Sequence, residues 1–300
     1  MSCFFIDAYS QIYRMFFAIR MLNTVSGEPC NAVYGMVRLF QQLHEHYASE
    51  YGAIVFDKGK CTRRCALHPE YKAQRPPMPE QLRAQVEPIR QWAEAFGWRI
   101  VEKDGAEADD LICGMTYACQ PMPTLILTSD KDIAQLTELD GVRILNRGNG
   151  KEAWTEDDFA AVGQKFGVKP EQLRDYLALL GDSADNIPGI TGCGPKSAAK
   201  LLNEFGNIDG IYARLDAVKP ARLQEALRAE REKLLLNCSL IELDHTLPDG
   251  WQGKESIRRV TPNWNALREL SARFGFKSMN EFIDKNAPAV RSAPQQLTFF

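Results

Sequence analysis

Short apolar runs alternate with longer amphipathic segments through the first half of the chain. The apolar runs predict buried strands, and the amphipathic segments predict helices. The predicted strands span 3–6, 53–56, 98–102, 124–128 and 142–145, and the predicted helices span 9–20, 30–49, 80–96 and 106–119. This alternation is typical of an α/β fold with a mostly parallel central sheet flanked by helices.

From about residue 155 the pattern changes to helices joined by short loops. Between the strand at 53–56 and the helix at 80–96 lies a polar, basic stretch, 58–79. A connection of that length inside a compact domain is usually functional. The segment 286–294 is small, polar and contains proline, which predicts a flexible tail.

Acidic residues cluster at the ends of the predicted elements. Asp7 and Asp57 directly follow apolar runs, and Asp130 follows another run closely. Ligand sites in parallel α/β sheets form outside the carboxyl ends of the strands, so these three side chains are expected to converge. Six more acidic residues lie beside strand or helix ends: Glu107, Asp109, Asp110, Asp132, Asp182 and Asp185.

Each acidic group also has a simpler interpretation. Acidic residues in a first helical turn complement the helix dipole, and 181–189 could be only a turn rich in turn formers. Three acidic residues within 107–110, beside strand-end aspartates, favour a shared site. Two like charges about 4 Å apart repel by roughly 4 kcal/mol at an effective dielectric near 20, so the cluster requires cations. Oxygen ligands favour Mg²⁺.

A glycine-rich segment, 189–200, precedes and opens a predicted helix. Its glycines allow close backbone approach, and Pro195 suits a first helical position. Backbone amides at such a helix start bind phosphate, and Lys196 and Lys200 add charge on one helix face. The alternative is a tight turn between two helices.

The net charge of −3 includes the nine clustered acidic residues, so it understates how basic the rest of the chain is. Without those nine carboxylates the rest of the chain carries +6, and Lys and Arg are concentrated between 58 and 103. A basic surface of this kind suits a polyanionic substrate. For Arg83 and Arg90, on a predicted helix, a solvated basic face is the favoured alternative.

Location follows from what the sequence lacks. The N-terminal residues have no basic region followed by an apolar core, and no segment approaches the ~18 apolar residues of a membrane span. A cytoplasmic protein is therefore expected. The eight scattered cysteines are expected to be reduced thiols and not zinc ligands.

Together these motifs resemble the 5′ nuclease domain of bacterial DNA polymerase I and its phage and flap-endonuclease relatives. The resemblance covers roughly 2–285 and is carried by 5–7 with 13–14, 56–60 with 71–79, 107–110, 128–132, and 181–189 with the following glycine hairpin. It implies a PIN-like nuclease core over 1–165 with a helical arch at 58–80. It further implies a helical DNA-binding region over 166–285, with a helix–hairpin–helix-type motif at 187–204, and a tail over 286–300.

The resemblance also implies two metal sites and their catalytic neighbours. The first Mg²⁺, with Mn²⁺ as an alternative, would be held, directly or through water, by Asp7, Asp57, Glu107, Asp109 and Asp110. The second would be held by Asp130, Asp132, Asp182 and Asp185. Lys72 and Arg75 would steady the scissile phosphate, and Asp109, Asp110 and Asp185 complete the implied catalytic set.

DNA contacts are implied for two further groups of residues. Near the arch they are Arg14, Lys60, Arg64 and Tyr71, with Tyr71 stacking on an unpaired base. In the hairpin they are Gly192, Gly194, Lys196 and Lys200, gripping duplex backbone around a K⁺ ion held by carbonyls. The start of the arch departs from the family pattern by one position, which leaves open whether Lys58 or Lys60 touches DNA.

The implied activity is that of a structure-specific 5′ nuclease, both 5′-3′ exonuclease and 5′ flap endonuclease, in DNA replication, including RNA primer removal, and in repair. Its substrate would be DNA with a 5′ flap, nick or 5′ overhang, including RNA-primed ends, and the protein is expected to be a monomer. Two alternatives remain: a related metal-dependent RNase, and a catalytically silent, clamp-recruited scaffold that binds junction DNA.

The final five residues resemble the bacterial sliding-clamp-binding motif. Its side chains would be Gln296, Leu297, Phe299 and Phe300. A short segment on a flexible linker can dock into an apolar pocket of a partner. The alternative is that Phe299 and Phe300 fold back onto the core of this protein.

Overall fold

A six-stranded sheet forms the centre of the protein. The structure is a computed structural model that describes residues 2–147 and 154–288. The strands are β1 (Cys3–Asp7), β2 (Tyr51–Val55), β3 (Arg99–Val101), β4 (Thr124–Leu127), β5 (Val142–Arg147) and β6 (Trp154–Asp157). They lie in the order β3-β2-β1-β4-β5-β6, and all neighbours except β5 and β6 pair parallel. The prediction of a mostly parallel α/β sheet is therefore confirmed.

Helices follow the strands and then fill the second half of the chain. They are α1 (Ala8–Ala18), α2 (Asn31–His46), α3 (Thr62–Leu67), α4 (Glu80–Ala95), α5 (Ala108–Ala118), α6 (Phe159–Phe166), α7 (Leu173–Leu180), α8 (Pro195–Phe205), α9 (Ile208–Ala213), α10 (Ala221–Ala229), α11 (Arg231–Ile241), α12 (Trp264–Phe274) and α13 (Lys277–Asn286). In the described ranges, none of them is both long and apolar enough to span a bilayer.

Both faces of the sheet are buried, which explains the continuous apolar runs in its strands. Successive residues alternate between the faces: Phe5 and Ala53 pack in one core, Phe4 and Ile54 in the other. Helices α5 to α11 pack in the first core, and α1, α2 and α4, joined by α12 and α13, pack in the second. The carboxyl ends of β1, β2 and β4 meet at one edge.

Helices α12 and α13 pack with the sheet domain and not with the helical region to which the sequence assigned them. The sequence assigned 166–285 to one helical DNA-binding region, but α12 and α13 return to the sheet and pack on α4 and α2. Phe276 stacks on Trp92 with ring centres 6.0 Å apart, and the Gln41 amide contacts the Met279 sulfur at 3.2 Å. Their apolar faces complete the second core, a long-range fit that local periodicity does not reveal.

Short strands were also missed. β6 pairs antiparallel with β5, in a part of the chain expected to be helical, and β7 (Gly181–Asp182) pairs with β8 (Ile187–Pro188). Four-residue and two-residue strands carry no usable alternation, since their pairing depends on the neighbouring strand.

The segment 58–80, expected to form a helical arch, holds one short helix and a series of turns. Helix α3 spans Thr62–Leu67, and turns follow through residue 75. The Thr62 amide donates to the Gly105 carbonyl at 3.0 Å, and the Lys72 amide donates to the Asp185 carbonyl at 3.1 Å. The segment therefore lies against the acidic residues.

Candidate active site

Two strand-end aspartates are locked by the first turns of the helices around them. Asp7 caps α1, accepting the Ser10 N–H at 3.1 Å, and its other oxygen accepts the Thr128 hydroxyl at 2.7 Å. Asp57 follows β2 and accepts the Ala108 N–H at 2.8 Å, at the start of α5. These contacts fix both carboxylates at the carboxyl edge of the sheet.

Four carboxylates line one cleft of about 420 Å³ at this edge. They belong to Asp7, Asp57, Asp109 and Asp130, and we call this space the carboxylate cleft. Basic side chains also line it: Arg14, Lys72 and Arg75. The expected convergence of strand-end aspartates is thus what the fold produces, with Asp109 added from the first turn of α5.

Burial and mutual repulsion disfavour charge on these carboxylates. Burial, then the charge of Asp57, raises the pKa of Asp7 to about 7. Burial, then the charges of Asp130, Asp7 and Asp57, raises the pKa of Asp109 well above its usual range. Burial also raises the pKa of Asp57, although the Ala108 N–H opposes this. Ionisation of the whole set therefore needs compensating positive charge.

A second acidic group adjoins the cleft, formed by Asp130, Asp132, Asp182 and Asp185. Burial and the charges of the other three raise the pKa of Asp132 well above its usual range. One of its carboxylate oxygens is buried and, within the described residues, has no hydrogen-bond partner. Lys131 pairs with Asp182 at 3.0 Å, which brings the 181–185 turn close to the strand-end residues.

This donor set fits divalent cations. Every donor in the two groups is a carboxylate oxygen, the ligand type that Mg²⁺ and Mn²⁺ prefer. An orphaned buried oxygen on Asp132 and mutually raised pKa values are what a cation would relieve. Cys61, Glu107 and Asp110 also place ligand atoms within 4.8 Å of one another, but an Arg64 nitrogen lies among them and supplies the positive charge.

Lys72 and Arg75 extend from the 58–80 segment into the same region. Lys72 pairs with Glu107 at 2.5 Å and approaches Asp185 at 3.6 Å, and Arg75 pairs with Asp185 at 2.5 Å. Burial opposes the charge of Lys72, but Glu107 and Asp185 outweigh it and raise the pKa of the amine. Lys72 therefore stays protonated beside the carboxylates.

Three expected site residues lie elsewhere than the resemblance implied. The Arg64 side chain is 3% exposed and binds Glu107 and Asp110, so it is not on a DNA-facing surface. Tyr71 is buried, with its hydroxyl 3.1 Å from Glu107 and 3.0 Å from Asp185, and cannot stack on a base in this arrangement. Asp110 faces Arg64 and not the cleft. All three side chains are buried against neighbouring elements, and a sequence motif does not show such burial.

The other expected DNA contacts are accessible. Arg14 is exposed on the cleft wall, and Lys60 is exposed beside it with no ion pair in the described ranges. Lys58 instead pairs with Glu102 and Asp104, which favours Lys60 as the residue free to meet a phosphate. Their contacts with DNA stay predictions.

The glycine hairpin places a glycine of positive φ shortly before the start of a helix, and its binding of phosphate stays a prediction. Gly192 has a φ of 77°, and Gly194 caps α8, in which Pro195 is the first residue. Lys196 and Lys200 are both exposed, one turn apart. Gln296, Leu297, Phe299 and Phe300 lie outside the described residues, so the clamp-binding peptide also stays a prediction.

Some residues that shape the site were not singled out from sequence. The Thr128 hydroxyl and the Ser10 N–H both donate to Asp7, and Lys131 pairs with Asp182. Each stands within three residues of a candidate ligand, and Thr128 and Lys131 also lie in the 128–132 stretch that carries the resemblance.

Comparisons with known proteins give a consistent assignment. Residues 2–167 match the family model "5′-3′ exonuclease, N-terminal resolvase-like domain", and 168–262 match "5′-3′ exonuclease, C-terminal SAM fold". A 5′-3′ exonuclease of Aquifex aeolicus is 33% identical over 99% of both chains. DNA polymerase I of Pseudomonas aeruginosa is 36% identical over 91% of this chain, which spans 30% of that longer protein.

A solved structure supports the fold. The bacteriophage T5 flap endonuclease, in a pseudo-enzyme-product complex with DNA and metal ions, has a TM-score of 0.63 at 21% identity, covering 95% of this chain and 97% of that one. The family models together span most of the chain, and the Aquifex relative matches it from end to end. The chain belongs to the 5′-3′ exonuclease family.

Proposed function

We propose that this protein is a structure-specific 5′ nuclease that cuts DNA near junctions of single strand and duplex, using two Mg²⁺ ions. The observation that carries the proposal is the carboxylate cleft, with the second acidic group beside it and Lys72 and Arg75 on its rim. Many buried carboxylates at one strand edge are costly to the fold unless cations neutralise them.

The residues divide into two sets of ligands. Asp7, Asp57 and Asp109, with Glu107 close by, would hold the first ion, and Asp130, Asp132, Asp182 and Asp185 the second. When bound, two such ions lower the pKa of an attacking water and stabilise the leaving oxygen during in-line displacement at phosphorus.

The side chains on the cleft rim would act on the phosphate. Lys72 and Arg75 now face carboxylates, and a phosphate in the cleft would offer them anionic oxygens in their place. They would hold the scissile group and offset charge on its non-bridging oxygens. No histidine need act as a base, because a divalent ion held by these carboxylates would lower the pKa of a bound water.

Duplex DNA would be gripped away from the cleft. The hairpin glycines Gly192 and Gly194 expose backbone, and Lys196 and Lys200 add sequence-independent charge. K⁺ is a candidate ion at the hairpin carbonyls. We place the substrate among 5′ flaps, nicks and overhangs, including RNA-primed ends, in the cytoplasm, with the protein acting as a monomer that a sliding clamp recruits.

Cleavage of a labelled double-flap junction tests the proposal. The native protein is expected to cut at the flap base only with Mg²⁺ or Mn²⁺, and Asp109→Ala should bind the junction without cutting it. Products resolved to single nucleotides give the polarity. Junction binding without any cut in either metal would replace the nuclease proposal with a silent scaffold.

A further inference from the structure

The guanidinium of Arg64 is fully occupied inside the protein. Its Nε donates to the Leu240 carbonyl at 2.7 Å. One terminal nitrogen donates to Glu107 at 2.7 Å and Asp110 at 2.5 Å, and the other to Asp110 at 2.8 Å and the Glu242 carbonyl at 3.0 Å. Arginine has five N–H donors, and these five contacts use all of them. None is left to meet a phosphate.

These contacts join three parts of the fold. Arg64 lies in α3, Glu107 and Asp110 lie at the start of α5, and Leu240 and Glu242 lie at the end of α11. The last carbonyls of a helix have no partner inside the helix, so a guanidinium there satisfies them and complements the dipole. Asp110 also accepts the Asp244 N–H at 2.8 Å, which secures the chain just after α11.

Glu107 is held between two cations. One oxygen faces Arg64 and the other faces Lys72 at 2.5 Å. The Tyr71 hydroxyl adds a third contact at 3.1 Å. Arg64 therefore helps to fix the orientation of the Glu107 carboxylate. The negative charge of Glu107 in turn acts on Asp57 and raises its pKa.

We propose that Arg64 is a positioning residue, which neutralises Asp110 and holds Glu107 between itself and Lys72, beside Asp57 of the carboxylate cleft, and that it does not contact DNA. Asp110 is then the counterion of Arg64 and not a metal ligand. This inference rests on the proposed nuclease function for its kinetic consequences only. Partners that orient a ligand typically change activity or metal affinity 10- to 100-fold when removed, so a loss of that size is expected for Arg64→Met.

The neighbouring arginine supplies a matched control. Arg63 also lies in α3 and donates to the end of α11, to the Ser239 carbonyl at 3.0 Å and the Glu242 carbonyl at 2.7 Å. It pairs with no carboxylate in the described part of the chain. Arg63→Met therefore removes an attachment to α11 without disturbing Glu107, and it separates loss of that attachment from loss of ligand orientation.

Two readouts need no cutting. In Ca²⁺, junction affinity and its salt dependence are expected to be the same within about twofold for the native protein, Arg64→Met and Arg63→Met. A double-mutant cycle on urea unfolding should show coupling between Arg64→Met and Asp110→Asn, since removing both charges leaves fewer unpaired groups than removing one. Neither measurement depends on cutting, so both would still test the role of Arg64 if the nuclease proposal failed.

Cutting rates at saturating junction complete the test. Arg64→Met should cut roughly 10- to 100-fold more slowly than Arg63→Met, and adding Asp110→Asn should recover part of the loss. If Arg64→Met does not fold, Asp110→Asn alone decides: it should retain far more cutting than Asp109→Asn.

Three outcomes would overturn the assignment. The first is that Arg64→Met binds the junction at least tenfold more weakly than the native protein, with a salt dependence smaller by the amount of about one phosphate contact. The second is additivity between Arg64→Met and Asp110→Asn. The third is Asp110→Asn as inactive as Asp109→Asn.

Discussion

Replacing Asp7 by Asn is expected to stabilise the metal-free protein near neutral pH while weakening its stabilisation by Mg²⁺. Asp7 has a pKa of about 7 in the fold and an ordinary value of 3.8. The unfolded chain therefore loses its proton first as the pH rises. The free energy of unfolding falls between about pH 4 and pH 7, and the full loss is present above pH 7.

The size of the effect follows from the difference between the two pKa values. Each unit corresponds to about 1.4 kcal/mol, so the ionised Asp7 side chain costs the metal-free fold about 4 kcal/mol at pH 8. Asn keeps an oxygen to accept the Ser10 N–H and carries no charge. Asp7→Asn should recover most of that energy in EDTA at about pH 8 and little at about pH 4.

Urea unfolding followed by circular dichroism, in EDTA and in Mg²⁺, measures this directly. Mg²⁺ should stabilise the native protein more at high pH than at low pH, and Asp7→Asn much less at either. Asp216→Asn is the control, because Asp216 is 95% exposed and should respond to neither variable. An Asp7→Asn protein no more stable than the native one in EDTA at about pH 8 would refute the reasoning.

Three other variants test separate parts of the molecule. Lys72→Met should lower the cutting rate 100- to 1,000-fold with little change in junction affinity, measured by single-turnover kinetics, and an unchanged rate would remove Lys72 from phosphate stabilisation. Gly181 has a φ of 75°, and a Cβ there would lie 2.2 Å from the Gly189 nitrogen, so Gly181→Ala should lower the free energy of unfolding in urea by more than about 2 kcal/mol. Gly250 has a φ of 69° but open space around it, so Gly250→Ala should lower that free energy by only about 1 kcal/mol. Deleting 296–300 should leave intrinsic cutting intact and remove stimulation by a sliding clamp, and full stimulation of the shortened chain would contradict the tail prediction.

Strand ends were the most informative feature of the sequence. Apolar runs followed by Asp7 and Asp57 give both the parallel sheet and the carboxylate cleft, because parallel strands deliver their carboxyl ends to one edge. The direction of a helix side chain is harder to predict. Asp109 and Asp110 are adjacent, and only the packing of α5 against α3 and α11 sends one to the cleft and the other to Arg64.

The missed features depend on long-range packing. Arg64 has the spacing of a DNA-contacting residue, yet the end of α11, some 176 residues away, buries it. The return of α12 and α13 to the sheet depends in the same way on aromatic contacts with Trp92 in α4. Such contacts leave no periodic signal in the segments that make them.

The return of α13 determines where the rest of the chain begins. Lys285 in its last turn reaches Glu45 in the last turn of α2, and α2 ends just before β2 enters the sheet. Residue 288 therefore lies towards the amino edge of the strands, behind the edge where the carboxylates meet. The chain beyond residue 288 therefore starts on the opposite side of the sheet from the carboxylate cleft.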